Sequence, residues 1–272
     1  MVVKQTQYFD NPTGKQEDGV FLIEAEKGKD LFTDPRGSFA ESFHVGRLPG
    51  RFADLSWCKQ MNTSSSDQFV FRGLHTQTGK HAQGKMVECT LGSVIDVIVD
   101  FRPDSSTFGR SMAILLKANA HTKLWVPRGF LHGFFSNETP PISSGRLIDG
   151  TEHWQPAHNQ FMYMCDNEYC KESEATINPL SFFAKLPQSD IDDNMNKIRL
   201  FARHGKLTLS AKDANGMDYD ETVAVIKADY EKCGRLWYRD NTKTADTEQE
   251  APDAKTPPRK GRNAKVSAKK AR

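Results

Sequence analysis

Between about residues 16 and 135 the chain runs as short apolar or alternating stretches cut by turns: GVFLIEA, GSFAESFHV, QFVFRGLH, GKMVECTLGSVIDVIVDF, SMAILLKA and TKLWVPRGFLHGFF. Runs of roughly five to eight residues rich in Val, Ile, Phe and Thr read as strands, and their close spacing reads as a sandwich or a barrel. No helical period interrupts them, which argues against a parallel sheet built from strand–helix–strand units. Gly92 and Ser93, after VECTL, are expected to turn a hairpin whose return strand is VIDVIVDF. On that strand Ile95, Val97 and Val99 share one face, and Val94, Asp96, Ile98 and Asp100 share the other, which places both acids off the main core face.

The rest of the chain reads differently. Residues 136–160 form a polar, Pro- and Ser-rich loop, and residues 183–205 have a charged middle and little period. Only 219–236 makes a good helix, with Val223, Ile226 and Tyr230 at helical spacing and Gly234 as its stop. From about Asp240 the apolar content almost vanishes. The expected organisation is therefore a single domain over 1–239 with an insertion near 136–160, followed by a disordered basic tail over 240–272. A total of 272 residues suits one substantial core with appendages.

Charge supports that division. The net +2 of the whole chain conceals eight Lys or Arg against the single acid Asp253 in residues 251–272, while the first 250 residues hold 29 basic against 34 acidic groups. An aromatic platform or a recognisable module would be needed for specific nucleic-acid binding, and the tail has neither, so it reads as a solubilising extension. No apolar run approaches the roughly 18 to 20 residues of a membrane span, and the first residues lack the apolar block of a signal peptide. The reading is a cytoplasmic protein without a membrane partner. Five cysteines with no CxxC pair give little support to a disulfide framework or a zinc knuckle.

The residues suited to chemistry gather after QFVFRGLH. Arg72, His75, Gln77, His81, Gln83 and Lys85 alternate polar groups into the next strand. One reading is a hydrogen-bonded network at a barrel mouth. The other is a cavity that binds an anion and supplies a base: arginine offers a forked donor for phosphate, histidine takes a proton near neutrality, and lysine stabilises an oxyanion.

A longer series is more specific. Asp34-Pro35-Arg36-Gly37 with Phe39 and Glu41, Gln60-Met61-Asn62 with Ser64, Arg72-Gly73-Leu74-His75 with Gln77, Gln83-Gly84-Lys85, Asp96 with Asp100, Ser105 with Thr107-Phe108-Gly109, and Trp125-Val126-Pro127 with Gly129-Phe130 and His132-Gly133-Phe134 follow one another in order. This series closely resembles the dTDP-4-dehydrorhamnose 3,5-epimerase family, densely over about 16–135 and loosely over 161–215. The resemblance implies an all-β fold, a jelly-roll cupin-like barrel with a few peripheral helices. It also implies a homodimer, no metal and no organic cofactor, and a substrate that is a nucleotide-diphosphate 4-keto-6-deoxy sugar.

Carried over by matching position, His75 corresponds to the base that removes the proton α to the C4 ketone. Asp213 corresponds to the carboxylate paired with it, and Tyr163 to the acid that returns a proton from the opposite face. Lys85 and Arg72 correspond to residues around the keto sugar and its developing enolate. Arg36, Glu41, Gln60, Asn62, His132, Glu174 and Lys212 correspond to the remaining substrate positions. Within the dimer the strand region Phe21 to Ile23 is expected to pair across a two-fold axis, with Arg36 and Glu41 completing the partner's pocket.

Several features depart from the family's pattern. His132 and Tyr163 are 31 positions apart, where about a dozen residues are usual. Met164 stands where the family often has Lys, and Glu168 where it often has a second Tyr. These leave open a single-site epimerase acting at C3 or C5, another nucleotide sugar, or a silent cupin that only binds a sugar nucleotide. The HxH-plus-Glu signature of metal-dependent cupins is missing, although His75, His81 and His132 together would make a conceivable zinc or iron set.

Overall fold

A computed structural model describes residues 1–6, 8–11, 14, 18–44, 48, 50–53, 55–138, 146–148, 151–153 and 158–233. The chain divides into Met1–Arg239 and Asp240–Arg272. The second segment, and with it the expectation of a disordered basic tail, lies outside the described residues.

The strands are β1 (Val2–Gln5), β2 (Phe21–Glu24), β3 (Leu31–Asp34), β4 (Gly37–Ala40), β5 (Gln60–Ser66), β6 (Phe71–Gln77), β7 (Lys85–Leu91) and β8 (Ser93–Asp100). They continue as β9 (Ser111–Lys117), β10 (Thr122–Val126), β11 (Phe130–Glu138), β12 (Arg146–Ile148), β13 (Thr151–His153), β14 (Asn159–Cys165) and β15 (Glu174–Thr176). Among the described residues four α-helices follow: α1 (Pro179–Lys185), α2 (Asp193–Arg203), α3 (Ala211–Ala214) and α4 (Tyr219–Cys233).

Two antiparallel sheets carry the fold, one ordered β1-β2-β10-β7-β14-β5 and the other β15-β6-β11-β8-β9. From β5 onward the chain keeps crossing between them, which is the winding of a jelly roll. The sheets remain separate ladders, so the barrel is open. Val87, Val94, Ile98, Leu124, Phe134 and Phe161 fill the space between them. The other side of the five-stranded sheet presents Phe71, Ile95, Val97 and Phe135 to Phe182, Phe183, Met195, Ile198 and Ile226 of the helices. Phe21, Trp125 and Met164 on the outside of the six-stranded sheet pack with Phe52 and Trp57. The fold is all-β, with helices covering one flank.

Several sequence expectations change here. The hairpin at Gly92 does not form, because β7 pairs with β10 and β14 while β8 pairs with β9 and β11 in the other sheet. Gly92, at φ +76°, turns the corner between sheets, and a Cβ there would collide with the Asn159 amide oxygen. Nor does β8 have a solvent face: all eight of its residues are buried. Helices cover the Ile95 side and the opposite sheet covers the Asp96 side, so both acids point into the interior of the barrel.

Asp100 is buried there against Arg102, which is 2% exposed. It accepts from Arg102 Nε at 2.8 Å and Nη2 at 2.7 Å, from Ser105 Oγ at 2.6 Å and from Thr107 Oγ1 at 2.7 Å. This network gives Asp100, Ser105 and Thr107 of the family-like series a structural role.

The stretch 183–205, read as having little period, holds α2 and the end of α1. Asn178 caps α1 by accepting from Leu180 N at 2.9 Å, and Asp192 caps α2 by accepting from Met195 N at 2.7 Å. The expected helix at 219–236 is α4, and its expected stop, Gly234, lies outside the described residues. The polar loop at 136–160 contains a short hairpin, β12 pairing with β13, and part of it lies outside the described residues. Finally β2, whose Phe21 to Ile23 region is expected to pair across a two-fold axis, is flanked within the chain by β1 and β10, so the edges of that sheet are β1 and β5.

Candidate active site

A cavity of about 690 Å³ opens between the sheets, within the size range of small-molecule pockets. Its walls follow from strand register. On the six-stranded sheet Tyr163 pairs with Asn62 and Val87, while Cys165 pairs with Gln60 and Lys85, so Gln60, Asn62, Lys85 and Tyr163 form one polar wall. The five-stranded sheet supplies Arg72, His75, His132 and Glu174 opposite. Lys212 and Asp213 enter from α3, where Ser210 caps the helix by accepting from Asp213 N at 3.0 Å.

Arg72 and His75 are three residues apart, and strict alternation would send them to opposite faces. A β-bulge resolves this. His132 is opposite His75 and Phe134 is opposite Arg72, so three steps along β6 match two along β11. The strands approach closely at this point. A Cβ at Gly73, where φ is +113°, would lie 2.7 Å from the His132 carbonyl oxygen, and one at Gly133 would lie 2.7 Å from that of Arg72. The Arg-Gly-Leu-His and His-Gly-Phe motifs are two sides of one device that aims the Arg72 and His75 side chains into the cavity.

The imidazole of His75 has its Nε2 2.6 Å from Asp213 Oδ1. With the Nε2 hydrogen donated to that carboxylate, Nδ1 holds the free lone pair. Burial pushes the Asp213 carboxyl up, but the His75 contact and bonds from Ser210 and the Gly73 backbone outweigh it and hold the group below the usual carboxylate range. Glu174 behaves similarly: burial raises it, while Lys212, His75 and Tyr169 together hold it low. Its Oε1 is 3.8 Å from His75 Nδ1.

Across the cavity, burial pushes the Tyr163 phenol up, aided by Cys165 and Glu174 against the Arg72 charge, so the neutral O–H is its resident form. Burial pushes Lys85 down, opposed by Cys165, Glu174 and the buried Asp96. Asp96 also binds His132, with Oδ2 2.8 Å from Nε2, while its Oδ1 is buried without a hydrogen-bond partner. Arg72 is braced by Ser66 Oγ at 2.9 Å and the Ser65 carbonyl at 3.1 Å. A base with a free lone pair thus faces a neutral acid across a space edged by cations. Such a site can remove a proton beside a carbonyl, stabilise the enolate and reprotonate it from the other side.

Ten of the twelve residues anticipated from the sequence line this cavity: His75, Tyr163, Asp213, Lys85, Gln60, Asn62, Arg72, His132, Glu174 and Lys212. Arg36 and Glu41 do not. Arg36 projects from the β3–β4 turn with its side chain 90% exposed and paired to Asp34, and Glu41 follows β4. His81 stands on the single turn Gly79–His81 and is not part of the lining. Two contributors were missed. Asp96 was placed off the core because the second layer over β8 has no signature in that strand. Tyr169 lies one position past Glu168, where a tyrosine is usual, and allowing a one-residue shift would have found it.

Residues 17–143 match the family model described as dTDP-4-dehydrorhamnose 3,5-epimerase. Among curated proteins bearing that name, the chain is 46% identical over 110 residues to one from Escherichia coli strain K12, covering 38% of this chain and 56% of that one. It is 36% identical over 147 residues to one from Salmonella typhimurium, covering 54% and 70%. A crystal structure of a dTDP-6-deoxy-D-glucose-3,5-epimerase from Legionella pneumophila, in complex with dTDP-4-keto-L-rhamnose, aligns with a TM-score of 0.57 at 29% identity, covering 83% of this chain and 97% of that one. One of a dTDP-4-dehydrorhamnose 3,5-epimerase from Elizabethkingia anophelis gives 0.54 at 30% identity, covering 80% and 97%.

Proposed function

The chain belongs to the dTDP-4-dehydrorhamnose 3,5-epimerase family, and on that premise we propose that it is an isomerase that inverts C3 and C5 of a dTDP-linked 4-keto-6-deoxy sugar. The observation that carries this reading is His75 on one sheet, paired with Asp213 of α3, facing Tyr163 on the other sheet across a cavity lined by Lys85 and Arg72.

A hydrogen on C3 or C5 is acidic because the C4 ketone next to it can take up the negative charge. His75 removes that hydrogen with Nδ1 while Asp213 holds its Nε2 hydrogen and stabilises the imidazolium. The electron pair of the C–H bond enters the enolate, whose oxygen is met by the Lys85 ammonium. Tyr163 then gives its phenolic proton to the same carbon from the opposite face, and the centre is inverted. Asn62, Gln60, Arg72, His132, Glu174 and Lys212 position the sugar and diphosphate. This chemistry calls on neither a metal nor an organic cofactor.

The first 239 residues are the catalytic domain in this reading, working in the cytoplasm; among the described residues no helix is long and apolar enough to cross a membrane. The working unit is a homodimer. Arg36 and Glu41 lie outside the cavity of their own chain, and the β3–β4 hairpin beside them exposes Phe32 (49%) and Phe39 (69%), with ring centroids 6.5 Å apart. A partner's pocket would take up both the charges and the rings.

The test is NMR of dTDP-4-keto-6-deoxyglucose in D2O with the purified full chain. The reading expects deuterium at C3 and C5 together with the L-rhamno product. Label at one carbon would make the chain a single-site epimerase, and binding without label would make it a silent cupin.

A further inference from the structure

Each inversion leaves His75 with an extra proton and Tyr163 lacking one, so two inversions on one sugar require both groups to be reset in between. The proton taken from carbon sits on Nδ1, because Nε2 is committed to Asp213. The group that faces Nδ1 is Glu174, with Oε1 at 3.8 Å. Its other oxygen accepts from the Tyr169 hydroxyl at 2.9 Å and from the Lys212 ammonium.

This arrangement runs from the inside outward. The Glu174 side chain is 9% exposed, the Lys212 side chain 50% and Tyr169 48%. Tyr169 is also fixed from the other sheet, since its backbone N–H donates to Gln60 Oε1 at 2.8 Å. The tyrosine therefore spans the mouth of the cavity from β5 to β15 and holds Glu174 against the imidazole. The carboxyl group, kept below its usual range by these partners despite burial, is ionised at neutral pH and open to a proton.

We propose that Glu174 is the proton exit of this site, taking the proton from Nδ1 of His75 after the first inversion and releasing it to water at the mouth, with Tyr169 and Lys212 as its positioning residues. The inference rests on the epimerase reading above. The protons balance. Carbon gives one to Nδ1, Tyr163 gives one back to carbon and becomes a phenolate, the imidazolium passes its Nδ1 proton to Glu174 Oε1, the carboxylic acid passes it to water, and the phenolate regains one from water. A carboxyl of low proton affinity conducts rather than stores, which is what a reset between two turnovers requires.

The experiment is a single-turnover reaction in D2O with full chain in excess over dTDP-4-keto-6-deoxyglucose, comparing wild type, Glu174→Gln and Tyr169→Phe by NMR at C3 and C5. Glu174→Gln is expected to perform the first inversion and to accumulate the singly inverted sugar, the second step being slowed by roughly 10²-fold relative to the first. Added formate, a small carboxylate, is expected to restore the second step in that variant, and Tyr169→Phe should fall in between. Equal slowing of both inversions, with no response to formate, would overturn the proposal and leave Glu174 a binding residue. Wild type that labels neither carbon would overturn the epimerase reading itself.

Discussion

Replacing Asp213 with Asn tests the base with little change in shape. The carboxylate lies 2.6 Å from His75 Nε2, its side chain is 5% exposed, and its backbone is held by the Ser210 cap. When His75 takes a proton from carbon, a full positive charge appears beside that carboxylate. At about 4 Å between charge centres and an effective dielectric of about 20, the pair is worth roughly 4 kcal/mol, and that amount corresponds to roughly 10³ in rate. The amide also donates through its NH2 group, which would favour the tautomer with hydrogen on Nδ1 and occupy the base nitrogen; a comparable change in a Ser-His-Asp triad costs about 10⁴. We therefore expect kcat to fall by about 10³ to 10⁴ while dTDP binding changes by no more than about threefold. Deuterium exchange under saturating substrate gives the rate, and calorimetry with dTDP gives the binding. A folded variant that keeps more than about a tenth of the wild-type rate would refute the account of Nε2.

Other expectations concern the frame around the site. Asp100→Ala leaves Arg102 charged and buried, so urea unfolding should show a loss of about 3 to 5 kcal/mol, partly regained when Arg102 is also made Leu; a loss below about 1 kcal/mol would contradict the network's role. Gly133→Ala places a Cβ 2.7 Å from the Arg72 carbonyl and should cost about 1 to 3 kcal/mol in thermal unfolding while lowering activity, because the bulge that aims Arg72 and His75 must shift. Asp190, Glu174 and Asp213 are all held below the usual carboxylate range, so the folded state binds fewer protons than the unfolded chain in acid. Stability from these groups is complete above the ordinary carboxylate values near 4 and is lost as pH falls through the lower folded values, so the urea midpoint should drop below about pH 4. A midpoint that stays flat there would contradict the assigned shifts.

Much of the site was readable because its residues sit at short, register-dependent spacings. Gln60 with Asn62, Arg72 with His75, and Lys85 alone were legible as motifs; the alternation of β5, β7 and β14 gathers Gln60, Asn62 and Lys85 on one wall, and the bulge between β6 and β11 sets Arg72 and His75 on the facing one. The all-β class was legible from the short alternating runs between about residues 16 and 135. What escaped depends on a third layer. Because helices cover the outer face of β8, a strand with apolar residues on both faces has no visible outside; the face that carries Asp96 and Asp100 was assigned correctly, but its burial against the opposite sheet was not foreseen. The chain's passage between sheets at Gly92 looks locally like a hairpin turn; only pairing with β10 and β11 distinguishes the two. Helices α1 and α2 are capped by single side chains, Asn178 and Asp192, whose meaning emerges only when the following turn is packed on the sheet. Tyr169 acts through two contacts distant in sequence, to Gln60 and Glu174, which a linear reading does not register.

The central claim is that two groups on facing sheets move protons to and from opposite faces of one sugar. Tyr163→Phe in D2O with dTDP-4-keto-6-deoxyglucose tests it most directly, because it separates removal of the proton from inversion. The account predicts that deuterium still enters beside the ketone, by way of His75 and with retained configuration, while the inverted product all but disappears. Inversion at the wild-type rate in this variant would contradict it.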